Sequence, residues 1–270
     1  MKYKQKLSKT VKESGSNLVV GLDTDLNKIP ETFLRYKNPI LEFNLKIIES
    51  TFRFCAGYKI NLAFYEAEGV KGIHALEETV KAIPDNRIKI CDAKRGDIGN
   101  TSELYAKAYF DNMNFDSITV SPYMGYDSVS PFLKRKDKFV YILVRTSNPG
   151  AEDFQTLKTG RNKLYEIIAN KSLSWSKEQI GFVIGANHLK EINHFSSLPE
   201  NIPLLIPGIG AQGNDLENLL KNICNKEFLI NASRSIIFAG NSIDRVNTYF
   251  NKVVNNAILL NNSINLLKEK

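Results

Sequence analysis

Two hydrophobic periods alternate along this chain. Short β-branched runs recur, and each leads into a longer stretch in which apolar residues return every three or four positions. The runs predict strands at Leu18–Asp23, Tyr58–Phe64, Arg87–Cys91, Asp116–Ser121, Phe139–Thr146, Ile180–Gly185, Pro203–Pro207 and Phe228–Ala232. A basic amphipathic start precedes them. The stretches between predict helices at Ile40–Phe54, Glu66–Ala82, Thr101 to about Asn112, Gly125–Leu133, Leu157–Leu173, His188–Phe195, Leu216–Ile223 and Ser242–Leu267. Eight strand–helix pairs with no break in composition point to an α/β protein: a single (β/α)8 TIM barrel over residues 1–270. A doubly wound open sheet competes, because periodicity does not report closure.

The polar exceptions to this pattern cluster at strand ends. The densest is Asp92-Ala93-Lys94-Arg95-Gly96-Asp97-Ile98-Gly99-Asn100-Thr101. If the third strand runs through Lys94, Asp92 and Lys94 leave the same face, since side chains alternate with period two. Gly96 ends the strand, Asp97 lands in the turn, and Thr101 falls at the start of the next helix. A solvated loop with one surface ion pair would explain these charges at under ~1 kcal/mol each. Asp and Lys on one face of a buried strand argue for a site instead, because such groups seldom go inside unpaired.

In a barrel the C-terminal strand ends carry the active site. Asp23, Lys59, Asn61, Ser147, Gln212 and Arg234 all fall at or just after such ends. The glycines of Gly208-Ile209-Gly210-Ala211-Gln212-Gly213 let backbone N–H groups approach an anion, the next helix adds its positive end, and Arg234 offers a bidentate donor one strand later. That combination suits a phosphate.

Charge and cysteine content narrow the classes. Thirty-six basic against 29 acidic residues give +7, which suits anionic ligands, while the longest basic run, Lys134-Arg135-Lys136-Asp137-Lys138, is short and interrupted and reads as a solvated helix end. Cys55, Cys91 and Cys224 have no metal-ligand spacing, and His74, His188 and His194 sit in helical stretches, so no metal set is expected. No signal-peptide pattern or membrane-length apolar run is present, and reduced thiols in the cytoplasm are expected.

Gly21-Leu22-Asp23, Lys59-Ile60-Asn61-Leu62-Ala63-Phe64, the Asp92–Thr101 stretch, Pro207-Gly208-Ile209-Gly210-Ala211-Gln212 and Ser233-Arg234 together resemble the motif series of the orotidine 5′-phosphate decarboxylase family, in that family's order. The long stretch between Gly150 and Ile180 is similar to its larger-looped branch. The resemblance implies a lyase that converts orotidine monophosphate to uridine monophosphate and CO2, the last step of de novo pyrimidine synthesis, without cofactor or metal. It implies a homodimer in which Asp97, Ile98 and Thr101 reach the neighbouring subunit's site. It also implies a charge row of Lys59, Asp92, Lys94 and Asp97. Asp23, Lys59, Asn61 and Thr101 would meet the ribose, Ser147 the pyrimidine edge, Ile98 and Pro207 the base, and Gln212 with Arg234 the phosphate.

Loss of CO2 from C6 leaves an electron pair in the ring plane, so with no cofactor as electron sink its stabilisation must be electrostatic. Lys94 is the candidate cation and proton donor. Two other readings stay open. A sister barrel acting on phosphorylated sugar acids would use a similar third-strand motif, usually with a metal. A non-catalytic nucleotide- or RNA-binding barrel would use the +7 charge and bind with steep salt dependence.

Overall fold

The computed structural model describes residues 1–209, 213–224 and 227–268. Among these, eight strands close a barrel: β1 (Leu18–Gly21), β2 (Gly57–Asn61), β3 (Ile88–Arg95), β4 (Ser117–Val120), β5 (Phe139–Arg145), β6 (Ile180–Ile184), β7 (Leu204–Pro207) and β8 (Phe228–Ala232). Each strand neighbours the next in chain order and β8 closes on β1. Closure settles the choice between barrel and open sheet. The strands are Val-, Ile- and Leu-rich and buried along nearly their whole length, as expected where helices cover a parallel sheet.

The chain divides into two compact units. One comprises Lys9–Asp92 with Asn231–Lys270, the other Met1–Ser8 with Ala93–Ile230. In the first, β1, β2 and β3 run parallel with Gly21 opposite Lys59 and Asn61 opposite Asp92. Period-two alternation therefore puts Gly21, Lys59, Asn61 and Asp92 on one face. The helix Pro39–Thr51 starts from an Asn38 cap, whose Oδ1 accepts the Leu41 N–H, and buries Ile40, Phe43, Asn44, Ile47, Ile48 and Thr51. In the second unit β5 pairs with β4 and β6, with a register shift between Leu143 and Arg145. The N-terminal helix Tyr3–Ser14 begins there, with Tyr3 stacked on Phe139 and its hydroxyl 3.0 Å from that of Tyr141.

Four expectations are corrected. The second strand stops at Asn61, because Asn61 Oδ1 accepts the Ala63 N–H and opens a short helix, Ala63–Glu66. The following helix is consequently separate, Gly69–Ala82, and begins at Gly69, whose φ is +59°. The helix expected from Leu157 begins only at Leu164; ahead of it Lys158–Thr159 and Asn162–Lys163 pair as a hairpin turning at Gly160, φ +64°. The basic run is the expected solvated helix end at Lys134, Lys136 and Asp137, which are exposed, but not at half-buried Arg135 and buried Lys138. Arg135 bridges Glu103 and Asp111, Lys134 pairs with Glu103, and Lys138 is buried against Asn114.

Candidate active site

The register of β1, β2 and β3 builds an ion cluster in the first unit. Lys59 is buried, and its Nζ lies 2.7 Å from Asp92 Oδ2 and 3.6 Å from Asp23 Oδ1. Burial pushes the Lys59 ammonium toward neutrality, yet Asp92 and Asp23 more than offset it and hold its pKa above the ordinary lysine value. Lys59 is thus a permanent cation between two carboxylates. Asn61 stands beside them, half-buried. In the same unit Ser233 follows β8 and donates its hydroxyl to the Gly21 carbonyl at 3.1 Å. A Cβ on Gly21 would meet Ser233 Cβ at 2.7 Å, so only glycine allows β1 and β8 to approach this closely. Arg234 is exposed at the first position of the four-residue helix Arg234–Ile237.

The second unit carries the remaining candidates. β3 continues past Cys91 and through Lys94, but Lys94 has φ +49°, so side-chain alternation stops there and the shared face expected for Asp92 and Lys94 is not formed: Asp92 is buried and Lys94 exposed. The Lys94 N–H donates to Thr119 Oγ1 at 3.0 Å, and the Arg95 carbonyl accepts from the Ser121 N–H at 2.8 Å. Asp97 lies half-buried in the turn and accepts the Ile98 N–H at 2.8 Å; Ile98 and Thr101 are exposed ahead of and within the first turn of the helix Gly99–Ala106. Ser147, exposed after β5, packs against the ends of β6 and β7: a Cβ on Gly185 would meet Ser147 Cβ at 2.7 Å, and one on Gly208 would lie 3.9 Å from Ser147 Oγ. Pro207 ends β7, half-buried. Gln212 lies outside the described residues. Among the described residues no group of His, Cys, Asp and Glu is placed to hold a metal ion, and no helix is long and apolar enough to cross a membrane.

Several polar groups escaped the sequence reading. Arg145 is buried, pairs through Nη2 with Glu152, and leaves Nε and Nη1 without hydrogen-bond partners among the described residues. Gln155 grips Thr146 twice, accepting its N–H at 2.9 Å and donating to its hydroxyl at 2.8 Å. Asn44 and Tyr65 form a dry network beside Asp23. Only Asn44 had a visible signal, an amide on the apolar face of its helix.

The class is now defined: a (β/α)8 barrel of parallel strands. Residues 16–249 match the sequence profile of the Orotidine 5′-phosphate decarboxylase / HUMPS family, and the chain belongs to that family. It is similar to the orotidine 5′-phosphate decarboxylases of Christiangramia forsetii, 49% identical over 248 residues covering 88% of this chain and 90% of that one, and of Dehalococcoides mccartyi, 48% identical over 247 residues covering 88% and 90%. Among solved structures it resembles Leishmania donovani OMP decarboxylase, with TM-score 0.84, 32% identity and complete coverage of both chains.

Proposed function

We propose that this chain, as one domain over residues 1–270, decarboxylates orotidine 5′-phosphate to uridine 5′-phosphate and CO2, the closing step of pyrimidine nucleotide synthesis, without cofactor or metal, in the cytoplasm. The observation that carries the reading is the Asp23–Lys59–Asp92 cluster, with Lys59 and Asp92 buried on strands leading to Lys94 and Asp23 half-buried just past β1. Two buried charges with a half-buried third are a costly way to build a core and a sound way to preorganise a field.

In this reading Lys94 stabilises the carbanion at C6 and then delivers a proton to it. Lys59, Asp92 and Asp97 complete a row of alternating charge that keeps Lys94 protonated, and the row titrates as a set. Asp23, Lys59, Asn61 and Thr101 hold the ribose, Ser147 the pyrimidine edge, Ile98 and Pro207 the base faces, and Gln212 and Arg234 the phosphate. Phosphate binding, remote from C6, supplies energy for ordering the site. The working form is a homodimer in which Asp97, Ile98 and Thr101 serve the neighbouring subunit's site. The exposed apolar side chains of Ile98, Leu104, Tyr123, Met124 and Tyr126 support such an interface.

Incubation with orotidine monophosphate in excess chelator, followed by pyrimidine absorbance, tests the reading. Turnover unaffected by chelator is expected. Inertness toward this nucleotide, together with metal-dependent turnover of a phosphorylated sugar acid, would replace it with the sister-barrel activity.

A further inference from the structure

Asp23 is held by little of its own. Its Oδ1 is buried, lies 3.6 Å from Lys59 Nζ, beyond hydrogen-bond range, and has no hydrogen-bond partner among the described residues. Its position must therefore come from the main chain on either side. Both neighbours are tied into one network. The Thr24 hydroxyl donates to Asn44 Oδ1 at 2.6 Å; Asn44 Nδ2 donates to the Tyr65 hydroxyl at 2.9 Å and to Thr79 Oγ1 at 3.0 Å; the Tyr65 hydroxyl donates to the Leu22 carbonyl at 2.9 Å. The circuit leaves the chain just after Asp23 and returns just before it. The Leu22 N–H is fixed in turn by the Lys59 carbonyl at 2.8 Å.

Thr24, Asn44, Tyr65 and Thr79 are all buried. Burial raises the Tyr65 phenol far above its ordinary range, so it stays protonated and keeps its role as donor. A satisfied amide in a dry core contributes little stability over a leucine of similar shape. Direction is what it adds: both Asn44 donors and its acceptor are committed, so the ring has one geometry. Close approach is built in as well, since a Cβ on Gly72 would sit 1.9 Å from the Tyr65 carbonyl oxygen.

We propose that Asn44, acting through Thr24 and Tyr65, is a positioning residue that holds Asp23 at its station beside Lys59 and so sets the ribose-binding end of the site. The assignment of Asp23 to the ribose rests on the function proposed above; the positioning of Asp23 does not.

Tyr65→Phe and Thr24→Val each remove one hydroxyl from the circuit without changing its volume much, and circular dichroism with urea denaturation checks that both fold. Two readouts follow. The first is a double-mutant cycle on kcat/KM for orotidine monophosphate. Each substitution is expected to lower it roughly tenfold in the wild-type background and by less than about twofold in an Asp23→Asn background, because coupled residues are non-additive. The second is titration of the Lys59 side chain by NMR in the free protein: once Asp23 is released, Lys59 loses one of its two carboxylates and its pKa falls. Equal losses in both backgrounds, or a Lys59 titration unmoved in both variants, overturn the proposal. If wild type itself fails to turn over the nucleotide, the proposed function falls and the Lys59 titration alone decides the positioning role.

Discussion

Removing the Lys59 cation while keeping its bulk gives the sharpest test of the buried cluster. Lys59→Met leaves Asp92 and Asp23 inside the barrel without their shared counter-charge. At the observed 2.7 Å the Lys59–Asp92 attraction is about 6 kcal/mol gross at an effective dielectric of ~20. Desolvation of both ions cancels much of that, and stranding one member of such a pair costs about 3–5 kcal/mol net. That is a large share of the roughly 5–15 kcal/mol by which a folded domain is stable, and it corresponds to a Tm drop of roughly 5–15 °C for a chain of this size. Urea and thermal unfolding at pH 7 read it directly. The double variant Lys59→Met/Asp92→Leu removes both charges and is expected to regain most of the loss.

The pH dependence follows in sign. Lys59 has its folded pKa raised, so its contribution is complete below the ordinary lysine value, near ~10.4, and disappears as pH rises through the higher folded value. The gap between wild type and Lys59→Met should thus be level through neutral pH and close in strong alkali. A single variant costing under ~1 kcal/mol at pH 7, or a double variant no better than the single one, would refute the cluster as a coupled unit.

Three shorter predictions accompany it. Arg234→Ala should weaken nucleotide binding and slow turnover, yet leave a substrate lacking the phosphate reacting as in wild type; a further loss on that truncated substrate would assign Arg234 another role. Lys94→Ala and Asp97→Ala proteins, each nearly inactive, should on co-refolding regain roughly a quarter of wild-type activity, because about half the dimers are mixed and each mixed dimer has one intact site; no recovery despite demonstrated exchange would place Asp97 in its own chain's site. Gly72→Ala should lose about 1–3 kcal/mol in urea titrations, because overlap with the Tyr65 carbonyl outweighs the ~1 kcal/mol of helix propensity gained, and a more stable variant would contradict the close approach.

Strand existence and the charged positions near strand ends were legible because both are written locally. Asp23, Lys59 and Asp92 stand out as charges in or just after apolar runs, and the fold puts Lys59 Nζ 2.7 Å from Asp92 and 3.6 Å from Asp23. What escaped depends on tertiary contact. The hairpin at Lys158–Lys163 was hidden by an apolar spacing that continued across Gly160, although the glycine itself was a turn signal. Arg145 and Glu152 are close in sequence, but that one of them is buried to 4% exposure is decided by packing. The Asn44 circuit joins residues from three helices, a strand end and a loop, and no local period encodes it.

Lys94 illustrates the limit most clearly. Period two would make it a simple partner of Asp92, but its backbone sits at φ +49°, where a side chain with a Cβ is strained by about 1–2 kcal/mol. The Thr119 hydroxyl, accepting the Lys94 N–H, helps hold that conformation. If the strain exists to aim the ammonium, side-chain chemistry and backbone stability should separate. Lys94→Ala keeps the Cβ and the strain; Lys94→Gly removes both, at some entropic cost in the unfolded chain. Neither should retain turnover, yet Lys94→Gly should be the more stable of the two by about 1 kcal/mol in urea unfolding. If alanine proves at least as stable as glycine, the left-handed turn at Lys94 is unstrained and its geometry needs no functional account.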